Sequence, residues 1–95
     1  MSETIDELTV NDEVDGVLQT KELAKEILTR GAWTTILYRY QQLDQASGNF
    51  GPEQFTLHRY QKRQGSYKLR SKFNISNREQ AQKIATILTN WLQVT

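Results

Sequence analysis

Ninety-five residues with a formal net charge of +1 and no cysteine make one small domain, which rules out disulfides, thiolate metal sites and a cysteine nucleophile. No run approaches the roughly 20 apolar residues of a membrane-spanning helix. The acidic opening MSETIDELTVNDEVDG has the wrong charge for a signal peptide, so the expectation is a soluble, cytoplasmic protein with no membrane contact.

In chain order, residues 1–19 hold scattered apolar positions (Ile5, Leu8, Val10, Val14, Val17, Leu18) without a sustained period, and are expected to form a mostly flexible arm, part of which could dock, ahead of a single domain at 20–95. TKELAKEILTRG then places Leu23, Ala24, Ile27 and Leu28 on one helical stripe, with Thr20 as N-cap and Gly31 as the C′ residue. The spacing predicts a short helix over 20–30. WTTILYRYQQL, from Trp33 to Leu43, is rich in β-branched and aromatic residues and reads as a strand. DQASGNFGPEQ, with two of the five glycines and the only proline, is a loop. Further strands are predicted over about 55–62 and 66–75. SNREQAQKIATILTNWLQ opens with Ser76 and Glu79 at capping-box spacing and carries Ala81, Ile84, Ala85, Leu88, Trp91 and Leu92 along one face, which predicts a long C-terminal helix. The sum is an α+β fold: an antiparallel sheet of three to four strands, a long C-terminal helix packed on one face and a short N-terminal helix.

Parity constrains the last hairpin. Phe55 and Leu57 on one strand and Leu69, Phe73 and Ile75 on the other share an apolar face only if paired residue numbers sum to an even total. A two-residue turn at Gln64-Gly65 would set Leu57 opposite Lys72. The expected solution is a three-residue loop, Arg63-Gln64-Gly65, with Phe55 opposite Phe73 and Leu57 opposite Ser71. Tyr60 then faces Lys68, His58 faces Arg70 and Thr56 faces Lys72.

Charge is distributed unevenly along the chain. Residues 1–20 carry six acids and no Lys or Arg, a net of −6; residues 21–95 carry twelve Lys and Arg against five acids, a net of +7. Such asymmetry points to contact with nucleic acid or another anionic surface. With the apolar face turned to the helix, the opposite face is expected to present Lys62, Lys68, Arg70 and Lys72 beside Tyr38, Tyr40, His58 and Tyr60, with Arg63 at the turn. Rings interleaved with cations suit single strands, because bases stack on rings while cations hold the phosphates. The competing explanation is a solvated sheet face whose lysines discourage edge aggregation.

Other constellations carry less. His58 is the only histidine and has no cysteine or carboxylate at ligand spacing; SGNFGP lacks the Lys and Ser/Thr of a phosphate loop; Asp44 and Glu53 bracket a loop without forming an acid/base pair. Trp33 and Trp91 read as core or interface anchors. Neither a metal site nor a cofactor is expected, nor catalysis.

With GAWTTILYRYQ, FTLHRYQK and SYKLRSKFNIS in series before the helix through Trp91, residues 31–92 resemble the positive cofactor four family of transcriptional coactivator domains and its short bacterial relatives. The likeness lies in basic and aromatic strands that begin near Gly31-x-Trp33 and end in a terminal helix. It implies a homodimer formed through the C-terminal helix and the sheet edge, and binding of single strands, melted duplex or RNA. It would give backbone contact to Lys68, Arg70 and Lys72, and stacking to Tyr38, Tyr40 and Tyr60. The functional expectation is a single-stranded nucleic-acid-binding protein of transcription, replication or repair, with DNA favoured over RNA. The alternative is a protein-interaction or dimerisation module that binds no nucleic acid.

Overall fold

The computed structural model describes residues 4–93. Five antiparallel strands lie side by side in chain order: β1 (Asp12–Val14), β2 (Val17–Thr29), β3 (Trp33–Gln42), β4 (Gln54–Arg63) and β5 (Ser66–Ile75). A single 3-10 turn at Ile5–Glu7 precedes them and one helix, α1 (Arg78–Gln93), follows. The smallest dimension is 17 Å, so a second layer covers only part of the sheet.

Two tight hairpins set the sheet. Asp15 and Gly16 have φ of 53° and 81° between the paired Val14 and Val17, and Gln64 and Gly65 have φ of 52° and 83° between Arg63 and Ser66. Positive φ at both central positions matches a two-residue turn to the twist of the flanking strands, and a glycine second makes it cheap. The expected three-residue loop is therefore replaced by a two-residue one. The even parity of the apolar pairs survives because the register shifts between Arg59 and Tyr60: Tyr60 pairs with Leu69, but Arg59 pairs with Ser71, leaving Arg70 as the extra residue of a bulge. Beyond it Leu57 faces Phe73, His58 faces Lys72 and Thr56 faces Asn74.

The helix predicted over 20–30 is absent; those residues belong to strand β2, which runs through Thr29. Its pairing with β3 shifts between Glu22 and Ala24 and again between Ile27 and Thr29. Each bulge breaks strict alternation, so Thr20, Glu22, Lys25 and Ile27 reach one face at uneven spacing and the strand shows no period of two. The ladder with β3 takes up the backbone from Thr20 to Thr29 and outweighs the helical preference of Lys, Glu, Leu and Ala.

The arm expected to be flexible carries the 3-10 turn and β1. Leu8 is only 6% exposed and packs with Ile36, Tyr38, Tyr60 and Tyr67, while Ile5, Val10 and Ile27 close around them. The Lys25 ammonium donates to the carbonyls of Ile5 and Leu8, each at 2.7 Å, and of Asp6 at 3.3 Å. The core of the domain is thus an N-terminal segment laid on the sheet.

The C-terminal helix starts one residue later than the capping-box reading allows. Asn77 Oδ1 accepts from the Gln80 N–H at 2.8 Å and Gln80 Oε1 accepts from the Ser76 N–H at 3.0 Å, so Asn77 is the cap. The helix does not pack along the sheet as expected. It touches the sheet end through a shallow groove shared by Phe55, Ala81 and Ala85, and through Arg78, whose guanidinium meets Glu53 at 2.6 Å. No described residue of α1 is buried, and Trp91 is 70% exposed.

Candidate nucleic-acid interface

Because strand pairs share a face, the register assigns each side chain to one of two surfaces. One holds Thr34, Ile36, Tyr38 and Tyr40 of β3 with Thr56, His58 and Tyr60 of β4, and continues to Lys72 and Asn74 on β5. This is the face the N-terminal segment covers. The other is uncovered except at its helix end, where Phe55 pairs with the buried Ile75, and holds Trp33, Thr35, Leu37 and Arg39 with Leu57, Arg59 and Gln61, continuing to Lys68, Ser71 and Phe73.

The expected ring band is therefore a core. Tyr38 is fully buried and Tyr40 and Tyr60 nearly so. The Tyr38 and Tyr60 hydroxyls meet at 2.9 Å, and Tyr60 also meets His58 Nδ1 at 3.1 Å, which gives buried polar ends their partners. Burial and the Tyr60 contact drive the Tyr38 phenol far above its ordinary pKa; burial raises Tyr40 and Tyr60 as well. Burial and then the Lys72 charge lower that of half-buried His58, favouring the neutral ring. In this arrangement Tyr38 and Tyr60 offer no open ring to a stacking base, because Ile5, Leu8 and Val10 pack over them, while Tyr40, nearly buried, borders a cleft beside Val10. The grouping of these tyrosines with His58 on one face was readable from alternation. Their identity as core was not, since paired tyrosines bury as readily as leucines once their hydroxyls are satisfied.

The cation row is divided by the bulge. Lys68 pairs with Gln61, and Arg70 Nε donates to Gln61 Oε1 at 3.0 Å, which sets both cations on the uncovered face. Lys72 lies on the other side, across from His58. The expected neighbours Tyr60–Lys68, His58–Arg70 and Thr56–Lys72 do not form. Lys62 reaches over the Tyr67 ring at 5.6 Å, and Arg63 is exposed where β4 ends.

The uncovered face gathers groups that the sequence reading set aside. The Arg59 guanidinium lies 4.1 Å from the centre of the Trp33 ring, a cation–π contact on a side chain still 40% exposed. Trp33, Gln61 and Lys68 form one row across three strands, and Thr35, Arg59 and Ser71 the next. The signal available in the sequence was odd-numbered alternation in WTTILYR, which puts Trp33 opposite in sense to the tyrosines. Arg39 is drawn off this set by Glu53 at 3.7 Å, which also holds Arg78.

Among the described residues no group of three or more His, Asp or Glu is placed to hold a metal ion. No described helix is long and apolar enough to cross a membrane. Comparison with protein-family models, curated proteins and solved structures returns no match for this chain.

Proposed function

We propose that this protein binds single-stranded nucleic acid, DNA in preference to RNA, through the uncovered face of its sheet, and acts in transcription, replication or repair by binding and not by catalysis. The observation that carries the reading is the Arg59–Trp33 contact flanked by Lys68 and Arg70, a ring and three cations on one open surface. Lys72 and Lys62 extend the positive charge around the edge strand β5, and Arg63 extends it at the turn. A ring supplies base stacking worth about 1–3 kcal/mol and cations hold the phosphates, a pairing a stacked duplex uses poorly. The resemblance to positive cofactor four domains belongs to the same proposal, supported by basic and aromatic strands running into a terminal helix.

The test is fluorescence anisotropy with labelled single-stranded DNA, duplex DNA and RNA at two salt concentrations. Single-stranded DNA is expected to bind most tightly and to weaken with salt. Lys68→Glu/Arg70→Glu should lower affinity and the salt slope together, since each phosphate contact contributes to counterion release. Trp33→Ala should lower affinity with the slope unchanged. Equal binding by the folded charge-reversal variant would remove the assignment.

A homodimer through α1 is part of the proposal, because Leu88, Trp91 and Leu92 are exposed on the helix while Leu37, Leu57 and Phe73 lie on the helix-proximal end of the same uncovered face. Sedimentation of wild type against Leu88→Glu/Trp91→Glu separates the readings. A monomer in both would end the dimer proposal, and a dimer without oligonucleotide affinity would favour the interaction-module alternative.

A further inference from the structure

Between the N-terminal segment and the sheet lies a cleft of about 300 Å³. It is lined by Thr9 and Val10 of that segment and by Tyr40, Gln42, His58, Lys72 and Asn74 of the sheet. Its volume is at the lower end of small-ligand sites, and its polar groups converge. The Asn74 amide is oriented by Thr56, whose hydroxyl donates to Oδ1 at 2.7 Å, so Nδ2 remains to donate. His58 Nδ1 is engaged by the Tyr60 hydroxyl, which leaves Nε2 as the free end of the ring. Lys72 takes part in none of the ion pairs among the described residues.

Two side-chain amides at one opening offer the mixed donor and acceptor edge that a nucleobase requires, and a lone ammonium beside them suits a phosphate. Position adds a second argument. β5 is the edge strand, and the bulge sends Lys68 and Arg70 to one side of it and Lys72 to the other. A strand lying on the uncovered face and passing over this edge meets Lys72 next, with the cleft beside it.

We propose that the cleft binds a single unstacked nucleotide, its base edge read by Gln42 and Asn74 and its phosphate held by Lys72. In the context of the proposed function, which this inference deepens, that nucleotide is one turned over the β5 edge from the strand on the uncovered face. The N-terminal segment is then one wall of a binding site as well as a cover for the core.

The full chain, isotope-labelled, is titrated by NMR with each deoxynucleoside 5′-monophosphate, with the matching nucleosides and with inorganic phosphate. Monophosphates are expected to shift the Gln42 and Asn74 side-chain amide signals and the His58 ring signals, and inorganic phosphate to leave the amides in place. Lys72→Ala and Asn74→Ala alter exposed residues, so the fold is expected to persist; each should abolish the nucleotide shifts and weaken single-strand binding by about tenfold. Lys68→Glu should weaken the strand and leave the mononucleotide shifts intact. Strand binding that depends on Lys68 and Arg70, with no amide shift from any monophosphate, would overturn the cleft and spare the open-face reading. Monophosphate shifts without strand binding would do the reverse. Amide shifts reproduced by inorganic phosphate alone would reduce the cleft to an anion site and overturn base reading.

Discussion

The two faces of the sheet are built from alternate residues of the same strands, yet they do opposite work. Ile36 is fully buried under the N-terminal segment, whereas its neighbour Leu37 looks out from the uncovered side with Leu57 and the 57%-exposed Phe73. One face joins hydroxyl-paired tyrosines, Thr34, Thr56 and aliphatic cover into a core; the other leaves a tryptophan, cations and leucines open. Residue type alone does not choose the core side. The choice fell to the face that Leu8 and its neighbours can reach and that Lys25 can anchor.

Adjacent substitutions test this division most strongly. Ile36→Ala should cost about 3 kcal/mol, combining lost transfer energy with a cavity under Leu8. Leu37→Ala, one residue along, should cost about 1 kcal/mol because water already reaches that side. Chemical denaturation of both variants measures the contrast, and equal losses would mean that a partner buries the uncovered face too. A smaller effect isolates the anchor. Lys25→Met keeps the aliphatic stem but deletes the ammonium that holds three backbone carbonyls, and should cost about 2 kcal/mol. Hydrogen exchange is expected to rise at residues 5–11 before it rises in β3 or β4. Uniform exchange across the sheet would instead make the segment an inseparable part of the fold.

Much of this architecture was written in local pattern, and what escaped has identifiable causes. The strands at Trp33, Phe55 and Ser66 and the C-terminal helix follow from periodicity and β-branched or aromatic content. Val14-Asp15-Gly16-Val17 is a hairpin signal of the strongest short-range kind, masked because the apolar positions around it show no sustained period. β2 escaped because two bulges disrupt its period, and bulges depend on partners that sequence spacing cannot show. In the last hairpin the turn residues demanded odd pairing and the apolar residues even pairing; the first holds from the turn to Leu69 and the second beyond the extra residue Arg70, so Leu69 parts from Phe73 and Ile75. The same bulge separates Lys72 from Lys68 and Arg70, so the candidate site was legible in composition and misread in geometry. Trp33 and Arg59 were missed as a pair since their contact crosses from β3 to β4.

The two faces also differ in titration, because the one histidine belongs to the closed face. Burial first and the facing Lys72 second hold the His58 pKa below that of an unfolded chain, where histidine titrates near 6.5. Between the two pKa values the unfolded chain binds the extra proton and the folded chain does not. Stability is therefore at its full value above about pH 6.5, declines as pH falls toward the folded-state pKa, and levels off below it. Carboxylates add their own dependence at lower pH, so the decisive measurement is the difference between wild type and His58→Gln, followed by thermal melting from pH 8 to pH 5. Removing the imidazole should flatten the part of the slope just below pH 6.5. Lys72→Gln should flatten it partially, because burial remains after the charge has gone. A wild-type slope that His58→Gln leaves unchanged would mean that water reaches the ring freely and that the N-terminal segment does not close this end of the face.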